Sequence, residues 1–268
     1  MTESWILHPG LPLLAAHVLV DFVVQSGRDV EQKTRLHPGA FVRHALQHAA
    51  VAWVFVGAWT AWWIPLAVFG AHGAIDVVKE LVRSRLRTSG RLDAPSNLRL
   101  FTVDQIAHVL SLAAIAVWLG PRTPAPPWPA TIPVDAVFVV LIGLVVCVRT
   151  GSIVIALAVR RFEGSLRQAH DETAEAPDRA LGIEPRGLSG GGQMIGALER
   201  VLIFFFVLIG RVDGVGFLLA AKSILRFGDL NARQQRVEAE YVIIGTFMSF
   251  AWALFVAWLT TRALASVG

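Results

Sequence analysis

Apolar residues gather into runs separated by short, arginine-rich polar stretches. The runs fall roughly at 10–26, 40–60, 62–82, 98–119, 134–159, 194–210, 214–227 and 240–262. Most approach the ~20 residues that a helix needs to cross a bilayer core. The pattern predicts an all-α, polytopic membrane protein with about eight transmembrane helices. The run at 214–227 is short and holds Gly214, Gly216 and Lys222. It reads as a span, a re-entrant segment, or one arm of a hairpin with the run before it. The first run contains His17 and Asp21 and lacks a basic leader and a small-residue cleavage site, so it is expected to be retained.

Basic residues give the orientation. Arg28, Lys33, Arg35 and Arg43 flank the turn between the first two runs, and Lys79 to Arg99 the turn between the third and fourth. Arg160, Arg161, Arg167, Arg179 and Arg186 follow the fifth, and Lys222, Arg226, Arg233 and Arg236 precede the eighth. The opposite turns hold only Arg122, Arg211 and Arg262. The positive-inside rule then puts the arginine-rich turns in the cytoplasm and both termini outside it. A bacterial cytoplasmic (inner) membrane is the expected location. Trp59, Trp62 and Trp63 mark an outer interface.

Composition agrees with this class. Hydrophobic residues make up 54% and charged residues 16%, against about a quarter charged in soluble domains. Mean hydropathy is +0.57. On a membrane protein, a basic balance points to topology and anionic lipid, and no nucleic-acid partner is expected. The single cysteine, Cys147, excludes a disulfide framework and a cysteine-based zinc site. Two domains are expected: residues 1–120, and residues 121–268 with a polar cytoplasmic loop at 161–192. A proline-rich outer loop, 121–133, separates them.

The candidate chemistry lies in the first four runs. Each carries one polar pair spaced i, i+4: His17 and Asp21, His44 and His48, His72 and Asp76, Asp104 and His108. On a helix that spacing places both side chains on one face, ~40° apart. With alternating spans, all four pairs fall at one depth near the cytoplasmic ends. The expectation is an N-terminal four-helix bundle with a His/Asp layer that holds a divalent transition metal, Zn, Mn or Fe. Eight potential ligands suit two ions, or one ion with outer hydrogen-bonding partners. A metal-free polar or proton-handling network is the alternative. Asp76 and Asp104 are the candidate catalytic carboxylates. Gln25, one turn after Asp21, is placed to orient it. Gln25, Lys33 and Gln105 are candidate substrate contacts, although Gln105 points about 100° from Asp104. Lys79 reads as an ordinary positive-inside residue. Around Glu199 and Arg200 an ion pair is expected, within or between helices, near a charge network of Lys222, Arg226, Glu238 and Glu240.

The ordered set His17-Val-Leu-Val-Asp21-Phe-Val-Val-Gln25, Lys33, His44, His72 to Asp76 with Lys79, and Asp104-Gln105-Ile-Ala-His108 resembles the bacterial membrane family of unknown function 3307 (DUF3307). The segments at Ile195 to Arg200, Ala221 to Phe227 and Glu240 to Thr246 resemble its longer members, with an additional C-terminal membrane half. The resemblance supports the site residues and implies no activity. The residues themselves favour a membrane-embedded metal-dependent hydrolase acting on a phosphorylated or lipid-like substrate. A di-iron oxidase is a variant, disfavoured because no Glu stands in the layer. The alternatives are a divalent-cation or proton-coupled transporter, and a regulatory scaffold with a structural metal.

Overall fold

The computed structural model describes residues 4–124, 128, 129, 131–162, 164, 190–224 and 233–267. The expected loop at 161–192 lies largely outside the described residues, as does Arg226. No strand occurs among the described residues. The chain forms two compact units, Met1–Val146 with Arg262–Gly268, and Cys147–Thr261.

In the first unit, α1 (Ser4–Leu19) runs into a π-helical turn at Val20–Val24, and a short α2 (Gly27–Thr34) follows at a 92° bend. Ser26 and Asp29 cap α2 reciprocally, each side chain meeting the other's backbone N–H. Then come α3 (Pro38–Val56), α4 (Trp63–Thr88), α5 (Ala94–Leu119) and α6 (Val134–Val145). Pro38 opens α3, where its missing N–H costs nothing, and Gly57 closes it in the left-handed region at φ 71°. Asp93 and Ser96 form a capping box at the start of α5. Helix α3 packs on α4, α4 on α5, and α1 on α3, α5 and α6.

The apolar core continues the polar faces along the same helices. Leu13 lies one turn before His17, Ala52 one turn after His48, Val68 one turn before His72, and Leu112 one turn after His108. Val56, Ala61, Ile64 and Ile115 complete this core. The outward faces are also apolar: Leu66, Val103, Leu110 and Trp118 are all more than half exposed. Helices with apolar faces both inside and outside belong in a bilayer.

Among the described residues, four helices are long and apolar enough to cross a membrane: Ala94–Trp118, Val134–Phe162, Gly191–Leu208 and Glu240–Val267. The bent pair Pro9–Val24 and Gly27–Thr34 makes a fifth if counted as one span. Two of the eight expected spans, α3 and α4, fall short of this measure for a physical reason. Helices α3 and α4 are long, but Arg43, His44, Gln47 and His48 on one, and His72, Asp76, Lys79 and Glu80 on the other, lower their hydropathy.

In the second unit, α7 (Gly151–Val159) follows a π-helical turn at Val146–Thr150. Helix α8 (Gly191–Leu208) turns through Gly210, at φ 72°, into α9 (Asp213–Ile224), and α10 (Arg233–Val267) is the longest element. Helix α9 follows α8 directly across this turn. It doubles back on α8 as a helical hairpin. A side chain at Gly214 would meet the Phe206 ring at 3.0 Å, which is why the hairpin closes tightly there.

Candidate metal centre

The site is assembled by α1, α3, α4 and α5. His17, His44, His48, His72, Asp76, Asp104 and His108 are all buried, and Asp21 retains 11% side-chain exposure. The five histidines form one contiguous cluster. The His48 and His72 rings stack with centroids 3.5 Å apart. His72 is 4.3 Å from His108, which stacks on His17 at 5.0 Å.

Asp21 is the hub. His44 Nε2 and His48 Nε2 both donate to its Oδ1 at 3.0 Å. His17 Nε2 lies 3.8 Å from its Oδ2. The π-helical turn that carries Asp21 closes with the Gln25 N–H donating to the Val20 carbonyl at 2.9 Å. This wide turn ends the regular 3.6-residue register at the point where the carboxylate meets three other helices; π turns often mark such sites.

The ligand-type atoms fall into three overlapping groups, each with its atoms within 4.8 Å of one another. The first is His17, Asp21, His48 and His72; the second is His44, His72 and Asp76; the third is Asp76, Asp104 and His108. All eight residues singled out from the sequence are therefore brought together. His72 joins the first group to the second, and Asp76 joins the second to the third.

The chemistry of the donors fits a cation. His17 Nδ1, His72 Nε2, His108 Nε2 and Asp104 Oδ1 are buried without a hydrogen-bond partner. An orphaned buried polar atom costs about 1–3 kcal/mol, so the four together are a substantial liability in an otherwise packed protein. His108 Nδ1 lies 2.9 Å from the Asp104 backbone carbonyl, which only accepts, so this nitrogen carries the proton. In the neutral ring the lone pair is then on Nε2, inside the cluster. Metal-bound histidines are fixed in this way, by donating their other N–H to a carbonyl or carboxylate. Nitrogen and carboxylate oxygen without sulfur suit Zn, Mn or Fe.

The two ends of the cluster differ in charge. Lys33 Nζ lies 2.7 Å from Asp76 Oδ2, and Lys79 Nζ is 2.9 Å from Asp76 Oδ1 and 3.4 Å from Asp104 Oδ2. The carboxylates of the third group thus already have cations. The first group holds one carboxylate, three imidazoles and no lysine.

Several residues do other than the sequence suggested. Lys33 is not in a loop but on α2, buried over Asp76. Lys79, read as an ordinary positive-inside residue, is partly buried and pairs with both Asp76 and Asp104. Gln25 does not reach Asp21; its amide lies 3.5 Å from both ring nitrogens of His44. Because His44 Nε2 donates to Asp21, Nδ1 is the one that accepts. Gln105, despite its direction on the helix, donates to Asp104 Oδ2 at 3.1 Å and Asp21 Oδ2 at 3.3 Å, with His17 Nε2 at 3.4 Å from its carbonyl oxygen. A long side chain covers an angular offset that a short one cannot. Glu80 was missed. It is 3% exposed, pairs with Arg83 at 2.7 Å, and leaves Oε2 without a partner. Its signal was the stripe His72, Asp76, Glu80 at i, i+4, i+8, which puts a Glu one turn beyond the layer.

In the second unit, Glu199 and Arg200 do not pair with each other. Glu199 pairs with Lys222 at 2.7 Å across the hairpin, and Arg200 donates to Ser249, Ser152 and the Val148 carbonyl.

These features define an all-helical membrane protein whose N-terminal unit holds a buried His/Asp cluster compatible with a metal ion. Residues 11–139 match the family described as Protein of unknown function (DUF3307), and through this segment the chain belongs to that family. The chain matches no curated protein and no solved structure.

Proposed function

We propose that the N-terminal unit is a membrane-embedded, metal-dependent hydrolase acting on a phosphorylated or lipid-like substrate, with the cluster facing the cytoplasmic side of a bacterial inner membrane. One observation carries the reading: ligand-type atoms of His17, His72, Asp104 and His108 without hydrogen-bond partners share one cluster with Lys33 and Lys79. His17, Asp21, His48 and His72 hold the ion. Asp76, Asp104 and His108 offer a place for a second. A divalent ion held there would supply Lewis acidity. Lys33 and Lys79 bind the anionic group of the substrate, exchanging a carboxylate partner for a phosphoryl oxygen. Asp76 or Asp104, once released, accepts the proton of the attacking water. Gln105 holds Asp21 and Asp104 in place, and Gln25 does the same for His44. Asp21 and Lys79, each slightly exposed, mark the entrance.

The chain Lys33–Asp76–Lys79–Asp104 also supports a second reading, proton-coupled transport, because linked ionisable groups inside a membrane form proton relays.

Elemental analysis of the detergent-purified protein tests the first requirement, beside His48→Ala and His72→Ala variants. We expect about one to two equivalents of a transition metal in the wild type, set by the ligand count, and its loss in both variants. No metal after loading with Zn, Mn and Fe sinks the proposal. With metal present, hydrolysis of a panel of phosphoesters and phospholipids supports the enzyme. Pyranine-detected proton flux in proteoliposomes without hydrolysis replaces it with the transporter.

A further inference from the structure

The second unit contains a cavity of about 340 Å³ between α7, α8, α9 and α10. Its charged lining residues are Glu199, Arg200 and Lys222, and the rest of the wall is apolar apart from Ser152, Gln193, Tyr241, Thr246 and Ser249. The charges do not cancel. Glu199 is engaged by Lys222. Arg200, only 3% exposed, has neutral oxygens alone within hydrogen-bonding reach among the described residues, and its buried Nε has no partner. A buried guanidinium without a carboxylate is a costly group that an incoming anion would relieve.

The cavity is open because glycines line it. Gly192 and Gly245 have no atom within 4 Å of where a Cβ would stand, and at Gly196 a Cβ would meet Arg200 Nη1 at 3.3 Å. Glycine lowers helix stability by about 1 kcal/mol relative to alanine, so three in two helices carry a cost that the space they leave explains. Ile155, Val159 and Val242 supply apolar side chains to the same lining.

We infer that this cavity is a second binding site, separate from the His/Asp cluster, for a phosphate-bearing anion. Arg200 and Lys222 take the phosphate, and the apolar side chains of Ile155, Val159 and Val242 take an acyl chain when the anion is a lipid headgroup. The reading does not depend on a metal or on hydrolysis.

Isothermal titration of the full-length, detergent-purified protein tests it with dihexanoyl phosphatidylglycerol, dihexanoyl phosphatidylcholine and sodium phosphate. The wild type should bind the phosphatidylglycerol and not the phosphatidylcholine. Displacement by sodium phosphate alone assigns the site to a free phosphate; resistance to it assigns the site to a lipid. Gly245→Leu fills the cavity without changing charge and should weaken binding by about tenfold or more, the loss of one charge-assisted contact. Lys222→Gln should weaken it similarly, because it also frees Glu199 to repel the anion. Equal affinity for the two lipids, or unchanged affinity in a helical Gly245→Leu protein, overturns the assignment. Should Gly245→Leu lose its helical circular dichroism, Lys222→Gln decides, and unchanged affinity there counts against the site.

Discussion

Lys33 Nζ donates to Asp76 Oδ2 at 2.7 Å, with both side chains no more than 4% exposed, although 43 residues separate them. The contact exists because the chain bends by 92° after the π-helical turn and brings α2 to Asp76, midway along α4. Removing one member of a buried ion pair strands the other, at about 3–5 kcal/mol. Lys79 also holds Asp76, so Lys33→Met should cost less, about 2–3 kcal/mol. In a double-mutant cycle followed by thermal unfolding in detergent, Lys33→Met on an Asp76→Asn background should cost under about 1 kcal/mol more. Additive losses would show that the two do not interact.

Metal should stabilise the first unit. Binding to the folded state alone adds about 4 kcal/mol when free metal is a thousandfold above its dissociation constant. Zinc should therefore raise the unfolding temperature of the wild type, and a chelator should lower it. A His17→Ala/His48→Ala protein should respond to neither, which a thermal-shift series with and without chelator would read out.

Gln105 touches Asp21, Asp104 and His17 without being a ligand in any of the three groups. Loss of such an outer partner commonly lowers metal affinity by about 10–100-fold. Gln105→Leu should show that loss in competition with a chromogenic chelator, with little change in helical content. Unchanged affinity would remove Gln105 from the site's support.

The short helix α2 depends on its ends. Ser26 and Asp29 cap it, and Arg43 on α3 donates to Asp29 and to Gln32 at 3.0 Å. Ser26→Ala should cost about 1 kcal/mol, the usual worth of such a cap. Because α2 carries Lys33, faster hydrogen exchange over residues 27–34 should accompany weaker holding of Asp76. Exchange confined to the first turn would mean that packing of Lys33, not the cap, fixes the helix.

The sequence by itself determined the class and the raw material of the site. Helical spacing is a local property, so His17 with Asp21, His44 with His48, His72 with Asp76 and Asp104 with His108 could each be placed on one face from their numbers alone. The apolar runs gave the membrane and the all-helical fold, because backbone groups in lipid must be satisfied within each segment. The polar layer also hid part of the answer, since the residues that make the site reduce the apolar signal of α3 and α4. Tertiary structure decided everything that passes between helices. Which carboxylate gathers imidazoles and which gathers lysines depends on the π-helical turn at Val20–Val24 and on α2 folding back. Neither has a sequence period to announce it. Gln105 and Lys79 were misread for a related reason: an angle on a helical wheel fixes where a side chain starts, while a long flexible one ends where its partner is. Asp21 became the hub of the cluster for the same reason, through neighbours that only packing could supply.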